Sequence, residues 1–154
     1  LEKYSLASTM KKKSRRLISV GSGFDTKQSR VKESIKLLSW GFRNSETFEI
    51  SKANKTEFDI KAWLGKTNYI KGTTKEDIYV TLGKKESRSM NVYIEYEGPV
   101  KAPIVKGQEV AKIKVYQKEN LIQSIPIYAS TKLEKVNFIT SLFTSINYLI
   151  WGDV

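Results

Sequence analysis

The chain contains no cysteine and no histidine. Without cysteine there is no disulfide framework and no thiolate metal site, and without histidine a His-dependent catalytic triad is excluded outright. No metal and no cofactor are expected. Lack of cysteine is silent about compartment, because cytosolic and envelope proteins can both do without it. The stretch Leu1 to Met10 lacks the long apolar core of a secretory signal. Charge is missing from one region altogether: Val136 to Gly152 carries no ionisable side chain except Tyr148.

Against these absences stand 154 residues with 40% hydrophobic and 11% aromatic side chains, enough for a packed core. The net charge of +11 is unevenly placed. Residues 1–43 carry 11 Lys/Arg against 3 Asp/Glu, residues 44–135 carry 16 against 12, and residues 136–154 carry only Asp153. Three charge regimes predict three structural units, 1–43, 44–135 and 136–154. A basic surface of this kind attracts nucleic acid, anionic lipid or another anionic polymer, and charge alone does not choose among them.

Tyr4–Met10 and Arg16–Gly23 read as strands joined by the short connector Lys11-Lys12-Lys13-Ser14-Arg15, which predicts a hairpin. Asp25 or Thr26 can cap a helix, with Gln28 placed to close a capping box on Asp25. Val31, Ile35 and Leu38 recur at helical spacing, and Gly41 is a natural terminator. Two strands and a helix cannot bury both faces alone, so this unit needs a partner. From Thr47 the pattern changes. Thr56–Leu64, Asp77–Leu82, Ser89–Tyr96, Gln108–Tyr116 and Leu121–Tyr128 are strand-like, and turn signals at Gly65–Asn68, Glu97-Gly98-Pro99, Lys106-Gly107 and Lys118–Asn120 separate them. Short strands at such spacing predict a small antiparallel β-sandwich. The expected class is therefore mainly β with some α.

The last segment changes again. Phe138, Ile139, Leu142, Phe143, Ile146, Leu149 and Ile150 fall on one helical face, and Thr140, Ser141, Thr144, Ser145 and Asn147 lie mostly on the other. It is short for a bilayer span and studded with polar groups, so an amphipathic helix in a membrane interface fits better. Tyr148 and Trp151 suit the headgroup boundary. A helix packed on the domain or on a second copy is the other reading.

Three pieces of this sequence carry a resemblance: Tyr4-Ser-Leu-Ala-Ser-Thr-Met, Arg16-Leu-Ile-Ser-Val, and Arg30-Val-Lys-Glu-Ser-Ile-Lys-Leu-Leu-Ser-Trp-Gly-Phe-Arg43. Together they resemble a signature stretch of the serine-type D-alanyl-D-alanine carboxypeptidases, low-molecular-mass penicillin-binding proteins. Pro103-Ile-Val-Lys-Gly107 and Ile125-Pro-Ile127 look like the family's β domain. The resemblance implies that residues 1–43 are the last two strands and last helix of the penicillin-binding (transpeptidase-like) domain. An all-β domain and a C-terminal membrane-anchor helix would follow. It also implies that Arg30, four residues before Ser34, is aimed at the substrate's terminal carboxylate, a task suited to a forked guanidinium. The implied partners are the peptidoglycan stem peptide and a membrane surface, with no nucleic acid. The implied location is periplasmic or extracytoplasmic, on the outer face of the cytoplasmic membrane. Exposed strand edges would allow self-association.

Such enzymes combine Ser-x-x-Lys, Ser-x-Asn and Lys-Thr-Gly motifs. No Lys-Thr-Gly is present; the resemblance places it just upstream of Leu1. Ser8-Thr-Met-Lys11 and Ser29-Arg-Val-Lys32 spell the first motif, yet about two matches arise by chance in a chain this rich in serine and lysine. Ser8 and Lys11 would point to opposite faces of a strand. Ser89-Met-Asn91 lies far from both. No catalytic residue is therefore expected within these residues, and the chain alone should be inactive. A second reading of different class is a stand-alone basic β-rich module that holds an anionic polymer or nucleic acid. The cluster Lys11–Arg16 would serve it, although a solvated hairpin tip explains that cluster as well.

Overall fold

The computed structural model describes residues 3–137 together with Ile146, Leu149 and Ile150. They divide into two compact units. The first comprises residues up to Phe48 together with Val80–Arg88, and the second comprises Glu49–Tyr79 and the residues from Ser89 onward.

In the first unit, β1 (Tyr4–Lys12) and β2 (Arg15–Phe24) form an antiparallel hairpin. The connector is tighter than the sequence suggested. Only Lys13 and Ser14 lie outside the strands, and Lys13 takes a left-handed φ of 56°. Helix α1 (Lys27–Asn44) follows. Its cap is Thr26, and the capping box closes with Ser29, not between Asp25 and Gln28. Its covered side also differs from the expected one. Val31 and Ile35 are exposed, and the buried residues are Ser34 and Leu38. Gly41 does not end the helix but lies within it. A Cβ there would stand 2.9 Å from Leu17 Cδ1, so the missing side chain is what lets α1 lie close on β2. The helix instead ends at Ser45, whose extended backbone returns a hydrogen bond to Gly41 O.

Further along the chain come β3 (Ser45–Ser51), β4 (Phe58–Trp63), β5 (Tyr69–Thr73), β6 (Ile78–Gly83) and β7 (Met90–Glu95). The last three are β8 (Val100–Lys101), β9 (Glu109–Gln117) and β10 (Asn120–Ala129). β3 and β6 pair as a two-stranded ribbon, and the second unit holds a six-stranded sheet in the order β7-β9-β10-β5-β4-β8. The unit is β-rich, as the spacing of strand-like runs predicted. β3, β5 and β8 carry no clear alternation and were not legible. β8 also departs from the antiparallel expectation, running parallel to β4 with Ala62 opposite Val100. The loops around Pro99 and Pro103 return the chain in that direction, and two residues are all that pair.

The core lies on one face of this sheet. Ile113 and Val115 of β9, Ile127 of β10, Ile60 of β4 and Ile104 are fully buried. Each such side chain contributes about 1.5–3 kcal/mol by leaving water. Two hydroxyls share the interior: Ser51 and Thr74, both buried, bond one another at 2.7 Å, which satisfies each without water. Gly72 of β5 is a tight point in this core. A Cβ on it would lie 2.5 Å from Ile127 Cγ2, well inside contact distance.

Gly72→Ala should therefore destabilise the β domain by about 1–3 kcal/mol, the usual penalty for overpacking a filled interior. Urea denaturation followed by tryptophan fluorescence reads the shift. An unchanged midpoint would show that Ile127 can move aside freely.

Candidate substrate-facing arginine and the root of the C-terminal segment

At the start of the hairpin, β1 and β2 fall out of register between Tyr4 and Leu6. Leu6 faces Gly21 but Tyr4 faces Phe24, so β2 carries one extra residue, with Gly23 at φ 83°. Gly21 has no side chain because the Phe24 ring occupies that space, 2.7 Å from where a Cβ would be. Bulges of this kind re-aim side chains. Here Tyr4 is turned under the guanidinium of Arg30, whose Cζ sits 5.6 Å from the ring centroid. Arg30 rises from the second turn of α1. One terminal nitrogen donates a long hydrogen bond of 3.3 Å to Ser5 O, and its Nε is buried with no acceptor among the described residues. Lys3 and Asp25 form an exposed ion pair. The guanidinium is thus held over an aromatic face with donors to spare. A planar fork of N–H groups with unused donors is suited to a carboxylate, which takes two of them in parallel.

The opposite end of α1 offers a contrast. Arg15, in the basic cluster at the hairpin tip, donates to Ser45 O at 2.6 Å and to the Ser45 hydroxyl, and lies over the Phe42 ring at 5.5 Å. It clamps the helix end, where a cation complements the helix dipole. The sequence cluster therefore contains one structural arginine that pattern alone did not separate from its neighbours. Trp40, near the same end of the helix, is exposed.

The serine motifs resolve into structural roles. Ser8 Oγ bonds Ser19 Oγ at 2.8 Å on the inner face of the hairpin, whereas Lys11 is exposed. Ser29 is occupied by the helix cap, accepting from Thr26 N and lying 2.9 Å from Thr26 O. Ser89 ends the short 3-10 turn before β7, and Asn91 is the second residue of that strand. Among the described residues no group of three or more Asp and Glu side chains could hold a metal.

Residues 46–135, more than half of the chain, match the family described as Penicillin-binding protein 5, C-terminal domain. The chain belongs to that family. Among curated relatives it is 31% identical over 141 residues to the D-alanyl-D-alanine carboxypeptidase DacF of Bacillus subtilis, covering 91% of this chain and 36% of DacF. It is 38% identical over 113 residues to DacA of Haemophilus influenzae, covering 73% of this chain and 28% of DacA. Penicillin binding protein 5 from Haemophilus influenzae superposes with a TM-score of 0.72 at 29% identity, covering 86% of this chain and 39% of that one. The chain spans about a third of the length of these relatives. The 141 residues aligned with DacF exceed the 46–135 span, so the likeness reaches beyond the family domain. Membership decides between the two readings of the sequence: the chain is a part of the carboxypeptidase family and not a stand-alone binding module for anionic polymers.

Within this penicillin-binding protein 5 C-terminal domain, the residues leading to the C-terminal segment are firmly tied. Ile104 bridges Leu133, Gly65 bridges Lys135, and Val136 N donates to Leu64 O at 2.9 Å. Glu134 lies between Lys66 and Lys132. Their hydrogen bonds and charges, that of Lys66 foremost, hold its carboxyl at about 2. The clasp therefore stays charged through mildly acidic pH. Of the proposed anchor residues, Phe138, Ile139, Leu142, Phe143 and Trp151 lie outside the described residues. Ile146, Leu149 and Ile150 are helical and exposed. Among the described residues no helix is long and apolar enough to cross a membrane.

Proposed function

We propose that these residues serve as the C-terminal part of a serine-type D-alanyl-D-alanine carboxypeptidase acting outside the cytoplasm. The longer enzyme would remove the terminal D-alanine of peptidoglycan pentapeptides through a serine acyl-enzyme. Residues 1–43 form an edge of its penicillin-binding domain, residues 44–135 the β domain, and residues 136–154 a membrane anchor. Arg30 carries this reading. Its guanidinium hangs over Tyr4 at the start of β1 with its Nε buried and unbonded. A carboxylate arriving there would find two forked N–H donors and a nearby helix start whose dipole also favours an anion. The β domain acts as a spacer between the catalytic domain and the membrane or as a surface for partner proteins.

No nucleophile is assigned to these residues, since Ser8 and Ser29 are engaged with Ser19 and Thr26. A serine nucleophile needs a base and an oxyanion site together. Incubated with a fluorescent penicillin, the chain alone is expected to take up no covalent adduct by intact mass. Stoichiometric labelling of any serine would overturn this assignment.

In the longer enzyme, Arg30→Ala is expected to lower kcat/KM for pentapeptide by about 2–4 kcal/mol of transition-state binding. The melting temperature should move little, since among the described residues Arg30 makes one long hydrogen bond and one contact over the Tyr4 ring. Unchanged kcat/KM with a normal melting curve would return Arg30 to a structural role.

The anchor helix is expected to lie in the plane of the membrane surface. Burial of its apolar face supplies roughly 25 cal/mol per Å², and its hydroxyl and amide face disfavours spanning. With no lysine from 136 onward, binding should depend little on anionic lipid or salt. Liposome flotation with and without residues 137–154, on neutral and anionic vesicles, tests this. Equal flotation of both forms, or of neither, would make the segment a packing helix.

A further inference from the structure

The two edges of the six-stranded sheet are built differently. One edge is β8, two residues long, ending in Lys101 and flanked by Pro99 and Pro103. Short length, a lysine and prolines are the usual devices that stop an edge from recruiting another strand. The other edge is β7, Met90–Glu95, and it has none of them. Its six residues pair with β9 without a bulge, and Glu95 is its only charge, already bonded to Lys114 at 2.5 Å. Among the described residues the edge is open: Val92, Tyr93 and Ile94 are consecutive and each is 40–56% exposed.

The backbone direction of this edge is fixed by one hydrogen bond. Lys118 N donates to Ser89 O, which continues the β7–β9 register by one pair beyond Met90–Gln117. Residue 89 therefore directs its backbone groups to β9. Alternation along the strand then turns the N–H and C=O of Met90, Val92 and Ile94 outward.

We propose that β7 is a self-association edge, pairing antiparallel with β7 of a second copy of this chain about a twofold axis at Tyr93. Only residues of like parity have backbone groups facing the copy, so the register must place even residues opposite even and odd opposite odd. Centring on Tyr93 sets Val92 opposite Ile94 of the copy, each pair exchanging two N–H···O bonds. It sets Tyr93 opposite Tyr93, and the Asn91 amide opposite the Glu95 carboxylate. Every cross-strand pair then matches in kind, and no like charges oppose. Centring on Val92 instead would set Tyr93 against Asn91. The contact is isologous, so it closes at a dimer. The opposing influence is the long-range repulsion of two chains of net charge +11, which salt screens. One strand edge buries less than a standard interface, so association is weak, with dimer forming on the order of 100 µM.

The lack of native cysteine makes the register directly testable. On the twofold, Tyr93 occupies a non-hydrogen-bonded pair with Cα atoms about 4.5 Å apart, within the range a disulfide spans. Asn91 would lie opposite residue 95 of the copy, so two copies of residue 91 stand roughly 13 Å apart along the strands. Oxidation of Tyr93→Cys should give mostly disulfide-linked dimer, and Asn91→Cys several-fold less under the same conditions. Sedimentation of the unmodified chain should show a monomer–dimer equilibrium that strengthens as salt is raised. Ile94→Lys, at an exposed position and checked for folding by circular dichroism, should return it to monomer. Three results would each overturn the proposal: equal cross-linking at 91 and 93, a monomer at all concentrations, or a dimer indifferent to Ile94→Lys.

Discussion

The pairing of β9 with β10 is the constraint on which the second unit depends. It runs from Asn120–Gln117 to Tyr128–Glu109 and is joined by a tight turn in which Lys118 takes a φ of 56°. β7 attaches to one side of this hairpin and β5 to the other, with β4 and β8 beyond. Because side chains alternate, the pairing decides which residues reach the interior: Ile113, Val115, Ile125 and Ile127 go in, and Lys112, Lys114 and Ser124 stay out. A slip of one residue in either strand would turn its buried set to solvent. The two irregular steps in the ladder, at Leu121/Gln123 and Ile127/Tyr128, fall towards its ends and leave the central apolar rows intact.

What could be read from the sequence follows from that alternation. Val110 to Val115 and Val92 to Tyr96 announce strands because side chains of opposite character succeed one another. β5 does not, because the place of one buried side chain is taken by Gly72, which contributes shape but no hydrophobic signal. β8 is too short to show a period, and β3 carries Glu46, Thr47 and Glu49 among few apolar residues. On α1 the apolar spacing of Val31 and Ile35 pointed to the wrong side. The covered line instead runs Arg30, Ser34, Leu38, Gly41, mostly small or polar residues whose fitness for close packing lies in volume and not in hydropathy. For the candidate site, Arg30 was visible only through a family likeness. Its seat over Tyr4 depends on a bulge that no local pattern discloses.

The two arginines at either end of α1 illustrate how one residue type takes two roles. Both bury an Nε without an acceptor among the described residues. Arg15 stands at the C-terminal end, where the exposed carbonyls favour a cation, and its terminal nitrogens are occupied by Ser45. Arg30 stands near the N-terminal end, where the first turn has no acidic residue to offset it and the dipole opposes a positive charge. The fold holds a cation in an electrostatically poor position and leaves most of its donors unused. An anion binding there would relieve both conditions at once.

Gly72 and Ile127 share a single volume. The pairing between their strands is short, Tyr128–Thr73 and Ala129–Gly72, extended by the hydrogen bonds of Ser130 N and Oγ to Lys71 O. Shape reinforces the alignment: the branched methyl of Ile127 fills the hollow over a residue with no side chain. Sliding β5 by two residues would bring Ile70 or Thr74 to that spot, and neither leaves room. The space could equally be filled from the other strand, with a valine at 72 facing an alanine at 127. The glycine is therefore held in place by the isoleucine, and a lineage that lost the isoleucine first would find the glycine no longer required.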